Sequence, residues 1–261
     1  MSKIRLTAVN YLNTKPFIYG IFASGLDKEL EIFKDIPADC ADKLIADEVD
    51  LALIPVAAIT QLSDHYIISD YCVGCDGPVK TVCIYSNSPL TEVNRLYLDG
   101  HSRTSAALTR ILMNEYWKNE RINYKSIYNV GKELIDDDSA VLAIGDKTIG
   151  MENKYRFTYD LGEAWKDMTG LPFVFAAWVA NKRLDSAFIK RFNAALAQGL
   201  EHIPELLFIL PEVDTSFDLK RYFEENISYA LDEQKKEALR LFMSKLDHSN
   251  INERIVKPVF A

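Results

Sequence analysis

The chain opens with short apolar runs that alternate with amphipathic stretches. Residues 4–9 and 30–33 are short runs rich in strand-forming residues, and residues 51–54 are an apolar run, so strands are predicted at all three. Between them, "LNTKPFIYGIFAS" carries Pro16 near the first turn of a helix, and "PADCADKLIADEVD" places its apolar residues on one helical face. Pro55 then opens a further short helix. This β-α-β-α-β-α order predicts a parallel sheet covered by helices.

A second block of apolar runs begins near residue 79. We expect strands in "VKTVCIYS", "RLYLD" and residues 124–128, 140–144 and 157–160, with helices over residues 105–116 and 163–168. The β-rich run "GLPFVFAAWVAN" follows at residues 170–181. Beyond it the periodicity becomes helical, and helices are predicted over residues 186–203, 204–210, 219–227 and 232–246.

The two blocks predict an α/β protein of two lobes, joined where the chain crosses between them twice. Residues 79–86 and 173–181 are the candidate crossover strands. We assign residues 1–83 and 176–261 to a first, discontinuous lobe and residues 84–175 to a second. Ligands of such folds lie at the carboxyl ends of strands, so the cleft between the lobes is the predicted binding site.

Polar residues gather where the predicted strands end, as a ligand cleft requires. In chain order these residues are Asn10, Tyr11 and Asn13; Ser86 and Asn87; Asp99; Gly145 and Asp146; and, before the β-rich run, Thr169 and Gly170. Each strand end is uncharged or holds at most one charge. This pattern is typical of a site that binds its ligand through hydrogen bonds.

The stretch "DGHSRTSAALTRIL", residues 99–112, carries more hydroxyl groups than one helix cap needs. Ser102, Arg103, Thr104 and Ser105 stand where an Ala-rich helix begins. One interpretation is an ordinary N-cap with Arg103 in solvent. The other is a site for a carboxylate or phosphate, held by helix amides, hydroxyls and the guanidinium group. We favour the anion site, because four other polar strand ends accompany it.

The composition of the chain limits the classes of ligand that the protein can bind. The 261 residues carry a formal net charge of −8, which argues against a nucleic-acid partner, since nucleic-acid-binding proteins present a basic face. No run approaches the roughly 20 apolar residues that span a bilayer, and no signal-peptide pattern opens the chain. We therefore expect a cytoplasmic protein that binds a small anion and makes no membrane contact.

The four cysteines are expected to be reduced thiols in that compartment. Cys72 and Cys75 have the spacing of a redox or metal pair, but no second pair and no nearby histidine accompany them, which favours a structural role. The sequence has no P-loop, GxGxxG, GxSxG or HExxH motif. Nucleotide hydrolysis, hydride transfer, serine hydrolysis and zinc proteolysis therefore lose support, and we expect neither a metal nor an organic cofactor.

Six ordered stretches resemble the chorismate dehydratases, which open the futalosine route to menaquinone. The stretches are "VNYLNTKP", "VDLALIPV", "GPVKTVCIYS", "LDGHSRTSAALTRIL", "AIGDKTI" and "YDLGEAWKDMTGLPFVFAAWV". The resemblance covers roughly residues 4–230, and it implies the fold of type II periplasmic binding proteins, in agreement with two lobes and two crossings. A sister enzyme acting on cyclic dehypoxanthine futalosine shares that fold, but we expect it to carry a Ser-Pro-Cys-Pro-Asn-like run where this chain has "NYLNT".

The resemblance implies that chorismate loses water to give 3-[(1-carboxyvinyl)oxy]benzoate. A proton leaves C3, hydroxide leaves C4, and the ring becomes aromatic. Asn13 would orient the substrate or hydrogen-bond the leaving hydroxyl. The proton acceptor is either Asp146 or the enolpyruvyl carboxylate of the substrate itself.

The remaining residues implied by the resemblance would bind the substrate. Ser102, Arg103, Thr104 and Ser105 would hold one carboxylate. Tyr11, Thr81 and Ser86 would contact the ligand, although Thr81 stands where relatives are expected to have serine. Thr169 and Gly170 would close the site from the second lobe.

Three alternatives remain open at this stage. The first is a cytoplasmic anion receptor that catalyses no reaction. The second is the sister enzyme or another lyase, and the third is a chorismate dehydratase. Asp146 and Lys147 also fit an ordinary surface ion pair. The apolar faces of residues 219–246 belong either to the core or to a homodimer interface.

Overall fold

In a computed structural model, residues 3–128, 136–210, 214, 217–248 and 258–260 are described. The strands within them are β1 (Ile4–Val9), β2 (Leu30–Asp35), β3 (Leu51–Pro55), β4 (Tyr66–Cys75), β5 (Val82–Ser86), β6 (Arg95–Asp99), β7 (Asn123–Ile127), β8 (Ser139–Ile144), β9 (Phe157–Asp160), β10 (Phe173–Ala180) and β11 (Ser228–Ala230). They form a large sheet, ordered β11-β4-β10-β3-β1-β2, and a small sheet, ordered β7-β6-β8-β5-β9.

Helices join the strands. The α-helices are α1 (Lys15–Ala23), α2 (Pro37–Ile45), α3 (Arg103–Glu115), α4 (Leu161–Thr169), α5 (Ser186–Glu201), α6 (Ile203–Ile209), α7 (Leu219–Arg221) and α8 (Glu233–His248). Short 3-10 helices occupy Leu12–Thr14, Leu26–Glu29, Val56–Gln61, Gly145–Thr148 and Glu152–Lys154, and a π-helix occupies Tyr222–Asn226.

The large sheet is mixed rather than parallel. β1 pairs in parallel with β2 and β3, as the order of the first block predicts. β10 enters from the distant part of the chain and pairs antiparallel with both β3 and β4. Neither β4 nor β11 was predicted. β4 is buried on both faces over its last four residues, so it lacks the alternation that marks a half-buried strand.

The chain passes between the sheets twice. It leaves the large sheet after β4 and enters the small sheet with β5, and it returns between α4 and β10. The two passages are residues 76–81 and residues 170–172, so each of the two proposed crossover strands contains the first strand after a passage. The lobe limits placed at residues 83 and 176 stay a prediction.

Helix α1 is anchored so closely to α5 that two glycines are required. A Cβ atom on Gly20 would lie 1.9 Å from the carbonyl oxygen of Ala195, and one on Gly199 would lie 2.0 Å from that of Pro16. The two backbones therefore touch. This contact fixes the start of α1, directly after the residues that reach the cleft.

The C-terminal part covers the large sheet. Leu239, Phe242 and Leu246 of α8 are fully buried, so this apolar face belongs to the core of the chain. The helix predicted over residues 219–227 departs from expectation, because after α7 it widens into the π-helix. Trp165 and Trp178 are buried against Phe173 and Phe192, respectively, as core residues.

Candidate active site

A cavity lies between the two sheets and takes its walls from both. It holds about 530 Å³ of space between protein atoms, part of which is open to solvent. In the described part of the chain, none of its lining residues is charged. They are Val9, Tyr11, Asn13, Thr14, Pro37, Leu53, Pro55, Val73, Val79, Thr81, Val82, Ser102, Ser105, Ile144, Gly145, Phe175 and Ala176. The walls are therefore largely apolar, with hydroxyl and amide groups at a few places.

Tyr11 and Gly145 meet across the cavity edge. Tyr11 follows β1 in the large sheet, and Gly145 follows β8 in the small sheet. Gly145 has a φ of +69°, and a Cβ atom there would lie 2.7 Å from the Tyr11 ring. Both the positive φ and the close approach of the Tyr11 ring require glycine at this position. Burial and the nearby carboxylates of Asp99 and Asp146 raise the pKa of Tyr11, so its phenol stays protonated at neutral pH.

Asp146 reaches across to the large-sheet lobe. Its two carboxylate oxygens accept the backbone N–H of Leu12 at 3.0 and 3.1 Å. Burial raises the pKa of this carboxyl above its usual range, while the Leu12 hydrogen bond and Lys15 act in the opposite direction. A raised pKa brings an aspartate closer to the range in which a general base works.

The ion pair predicted for Asp146 and Lys147 is wrong. Lys147 instead lies 2.5 Å from Asp99, a carboxylate that is 1% exposed at the end of β6. A buried carboxylate needs a partner, and Lys147 provides it. Asp146 is thereby left to the Leu12 amide.

Asn13 lies in a hydroxyl network that sequence reasoning missed. Its Nδ2 donates to the Tyr222 hydroxyl at 3.4 Å, and its Oδ1 accepts from Thr14 Oγ1 at 3.2 Å. The hydroxyls of Tyr222 and Thr81 are 2.9 Å apart and share a hydrogen bond. Three distant segments therefore meet at one side of the cavity.

Thr81 is placed by a strained turn in the first passage between the sheets. Its backbone N–H bonds to the carbonyl of Val79, and Lys80 between them has a φ of +67°, as in the rare γ-turn. Asp160 holds this turn, because its carboxylate accepts the N–H groups of Val79 and Lys80 at 3.0 and 2.7 Å. Strain of this kind is common at ligand sites.

The polar residues at the start of α3 have two different roles. Ser102 caps the helix by accepting the N–H of Ser105, and it also donates to Ser105 Oγ at 2.8 Å. Both serines line the cavity. The first N–H groups of an α-helix lack partners within the helix and carry positive partial charge. This corner of the cavity therefore suits an anion.

Thr104 and Arg103 point away from the cavity and bind the other lobe. Thr104 Oγ1 accepts the N–H of Ala57 at 3.1 Å. The Arg103 guanidinium donates to Asp42 at 2.5 Å and to Gln61 at 3.4 Å. They tie α3 to α2 and to the 3-10 helix Val56–Gln61, and neither is among the residues that line the cavity.

Ser86, Thr169 and Gly170 also lie outside the cavity lining. Ser86 ends β5, but β5 runs antiparallel to β8, so the start of β5 at Val82 faces the cleft and Ser86 lies at the far edge of the sheet. Its hydroxyl donates to the carbonyl of Ser88. Thr169 and Gly170 end α4, since Thr169 Oγ1 donates to the carbonyl of Trp165 and Gly170 takes the left-handed C-cap conformation.

The cysteines are buried free thiols. Burial raises the pKa of Cys72 to about 12 and that of Cys75 well above its usual value. Protonated thiols of this kind are inert. In the part of the chain that the structure describes, no group of three His, Cys, Asp or Glu residues is placed to hold a metal ion, and no helix is both long and apolar enough to span a bilayer.

Comparison with known proteins places the sequence beside one family. The family described as menaquinone biosynthesis matches residues 4–248. A chorismate dehydratase of Thermus thermophilus is 25% identical over 257 residues, which cover 90% of this chain and 92% of the relative. A chorismate dehydratase of Campylobacter jejuni is 24% identical over 249 residues, which cover 93% of this chain and 97% of the relative.

Solved structures confirm the predicted fold class. A crystal structure of a protein from Archaeoglobus fulgidus has a TM-score of 0.67 at 14% identity and covers 95% of this chain and 98% of its own. An alkanesulfonate-binding protein of Xanthomonas axonopodis pv. citri, bound to MOPS, has a TM-score of 0.68 at 10% identity and covers 100% and 99%. At such identities the likeness shows the two-lobed, periplasmic-binding-protein-like fold and nothing about the ligand.

Proposed function

The chain belongs to the menaquinone biosynthesis family, and we propose that it is a chorismate dehydratase that forms 3-[(1-carboxyvinyl)oxy]benzoate. The names of two relatives that align over nine-tenths or more of the chain support this assignment. The observation that carries the proposal is the interlobe cavity, because Asn13 lines it from one lobe and Ser102 and Ser105 line it from the other.

Chorismate is a dianion, so the uncharged lining needs an explanation. Hydroxyl and amide donors fixed before binding stabilise a carboxylate without the desolvation that a buried cation would require. The start of α3 adds the positive partial charge of its amides. We assign one carboxylate to Ser102, Ser105 and these amides, and the ring to the apolar wall formed by residues such as Val9, Leu53 and Phe175.

The reaction is an elimination whose balance is simple. The C3–H bond breaks and its electron pair becomes part of the ring, the C4–O bond breaks and hydroxide leaves, and the proton and hydroxide together make water. Aromatisation drives the step forward. The protein therefore contributes mainly by holding the reacting conformer, an effect worth up to roughly 7–11 kcal/mol in favourable cases.

Asn13 is assigned to the leaving hydroxyl or to substrate orientation. Its amide carries both donors and an acceptor, and it sits in the uncharged lining. Two groups are candidates for the proton acceptor, namely Asp146, with its raised pKa, and the enolpyruvyl carboxylate of the substrate. The Asp146 carboxylate does not appear among the lining residues of the described chain, so it serves as base only if ligand binding draws it towards C3.

The test is to mix the purified protein with chorismate and follow the aromatic product by absorbance and by mass. Turnover to a product lighter by one water supports the proposal. Stoichiometric binding without product identifies a receptor, and neither binding nor product rejects the substrate. Cyclic dehypoxanthine futalosine, tested in parallel, identifies the sister activity if it alone is consumed.

A further inference from the structure

We propose that Tyr222 is the positioning residue that sets the orientation of the Asn13 amide for dehydration. This inference rests on the proposed function and adds a residue from the C-terminal helical part to the site. Tyr222 itself is not among the residues that line the cavity. Tyr222 acts through Asn13 and Thr81, both of which line the cavity.

The geometry places the Tyr222 hydroxyl between the two lining residues. Asn13 Nδ2 donates to it at 3.4 Å, and it lies 2.9 Å from Thr81 Oγ1. The side chain is 1% exposed, so water does not compete for these bonds. The ring is held by contacts with Phe217 and Phe223, at centroid distances of 5.2 and 5.5 Å.

Counting donors and acceptors limits what the network can do. The Tyr222 oxygen accepts from Asn13, and the hydroxyls of Tyr222 and Thr81 share one hydrogen bond in which either is the donor. Thr14 Oγ1 donates to Asn13 Oδ1, so each end of the amide has a different partner. One N–H and one lone pair of the Asn13 amide remain for the substrate.

The local fold aims Tyr222 at this point. It opens the π-helix Tyr222–Asn226, a widened turn that is frequent at functional sites. At the other end of that turn, Asn226 Nδ2 donates to the carbonyl of Pro78 at 2.9 Å. Tyr222 and Asn226 thus both form hydrogen bonds with the passage between the sheets that contains Pro78 and Thr81. The π-helix therefore belongs to the site. The sequence did not reveal it, because Tyr222 lies 141 residues after Thr81 in the chain.

Tyr229 supplies a matched control. It is also buried, and its hydroxyl donates to the backbone carbonyl of Asn13 at 2.8 Å, so it touches the same residue without contacting the amide side chain. Tyr222→Phe should lower kcat about tenfold, the worth of one hydrogen bond, with a smaller change in KM. Tyr229→Phe should leave kcat within about twofold, while both variants lose similar thermal stability.

A double-mutant cycle separates positioning from packing. In an Asn13→Ala background, Tyr222→Phe should cause no further loss of kcat, because its effect passes through the amide. Equal kcat values for Tyr222→Phe and wild type, or a full tenfold loss that persists without Asn13, would overturn the proposal. Should Tyr222→Phe fail to fold, Thr81→Val breaks the same network from its other end, and because Thr81 itself lines the cavity this variant is read by the Asn13 amide spectra and not by kcat.

Side-chain amide NMR keeps this test independent of the reaction. The Asn13 NH₂ resonances should shift and broaden in Tyr222→Phe and stay unchanged in Tyr229→Phe. If the wild-type protein forms no product from chorismate, the proposed function fails, while the amide spectra still decide whether Tyr222 orients Asn13. Unchanged Asn13 resonances in Tyr222→Phe contradict the inference whatever the substrate.

Discussion

The carboxylate of Asp146 and the backbone N–H of Leu12 are joined across the two lobes. Both carboxylate oxygens lie within 3.1 Å of that nitrogen. Leu12 directly precedes Asn13, so the same contact holds the candidate base of the small-sheet lobe beside the candidate orienting residue of the large-sheet lobe.

Asp146→Asn distinguishes the two candidate proton acceptors. The variant keeps an oxygen for the Leu12 amide, so we expect it to fold. If Asp146 is the base, kcat falls at least about 100-fold, since general base catalysis contributes 10²–10⁴-fold. A base works only when deprotonated, and burial raises this pKa above 3.8. The acid limb of kcat/KM in the wild type therefore lies above that value, and it disappears in the variant.

A variant with wild-type kcat and an unchanged acid limb assigns the proton to the substrate carboxylate instead. Asp185→Asn is the control for the substitution itself. Asp185 caps α5 by accepting the N–H of Phe188, a role in which asparagine is as good as aspartate.

Asn13→Ala should retain the fold and lose most turnover. The amide contributes hydrogen bonds that strengthen as hydroxide leaves, and removing one such donor costs about 100-fold or more in kcat. Asn10→Ala is the matched control, because Asn10 is exposed and its side chain binds only Lys15 among the contacts described. Steady-state rates near those of wild type for Asn13→Ala would remove this residue from the mechanism.

Ser105→Ala tests the anion site separately from the helix cap. Ser105 lines the cavity while Ser102 provides the cap. Loss of one hydrogen bond to a carboxylate should raise the KM for chorismate about tenfold with little change in kcat. Ser102→Ala, alone or with Thr104→Ala, should raise KM and also lower the melting temperature, since it removes the cap.

Thr109→Val is the control on the same helix. Thr109 is fully buried, and within the described residues its hydroxyl has no hydrogen-bond partner. Replacing it should leave KM unchanged and leave stability equal or higher. If Ser105→Ala changes only the melting temperature, the serines serve the helix alone.

Gly145→Ala should damage the site as well as the fold. The left-handed backbone costs an alanine about 1–2 kcal/mol, and the new methyl group would meet the Tyr11 ring at 2.7 Å. Gly25 has a similar φ of +76°, but among the described residues the nearest neighbour of a Cβ atom there would be the flexible end of Lys28 at 3.9 Å. Urea denaturation should show a loss for both Gly145→Ala and Gly25→Ala, whereas only Gly145→Ala should lose activity.

Local patterns located the strand ends of the cleft but not every residue within it. The run after β1 and the turn before α3 were identified because polar groups there interrupt an apolar pattern. Tyr11, Asn13, Ser102 and Ser105 line the cavity, and their roles stay predictions. Arg103 and Thr104 share the same pattern, yet they bind the opposite lobe. A single sequence carries no signal for which face of a turn meets a ligand and which meets another lobe.

Strand direction and distant contacts account for the other differences. Ser86 follows an apolar strand as Asp146 does, but β5 is antiparallel, so its carboxyl end lies away from the cleft. Tyr222 sits in an ordinary amphipathic stretch, and its hydroxyl becomes meaningful only when the folded chain brings it to Thr81. Strand register and long-range pairing determine where Ser86 and Tyr222 lie in the fold. Neither can be predicted from the local periodicity of apolar residues.

The most direct measurement is a crystal structure of the protein with the product, 3-[(1-carboxyvinyl)oxy]benzoate, bound. We expect the ring in the interlobe cavity, one carboxylate within hydrogen-bond distance of Ser102 or Ser105, and the Asn13 amide beside C4. A product molecule bound elsewhere, away from both Asn13 and the start of α3, would contradict this expectation.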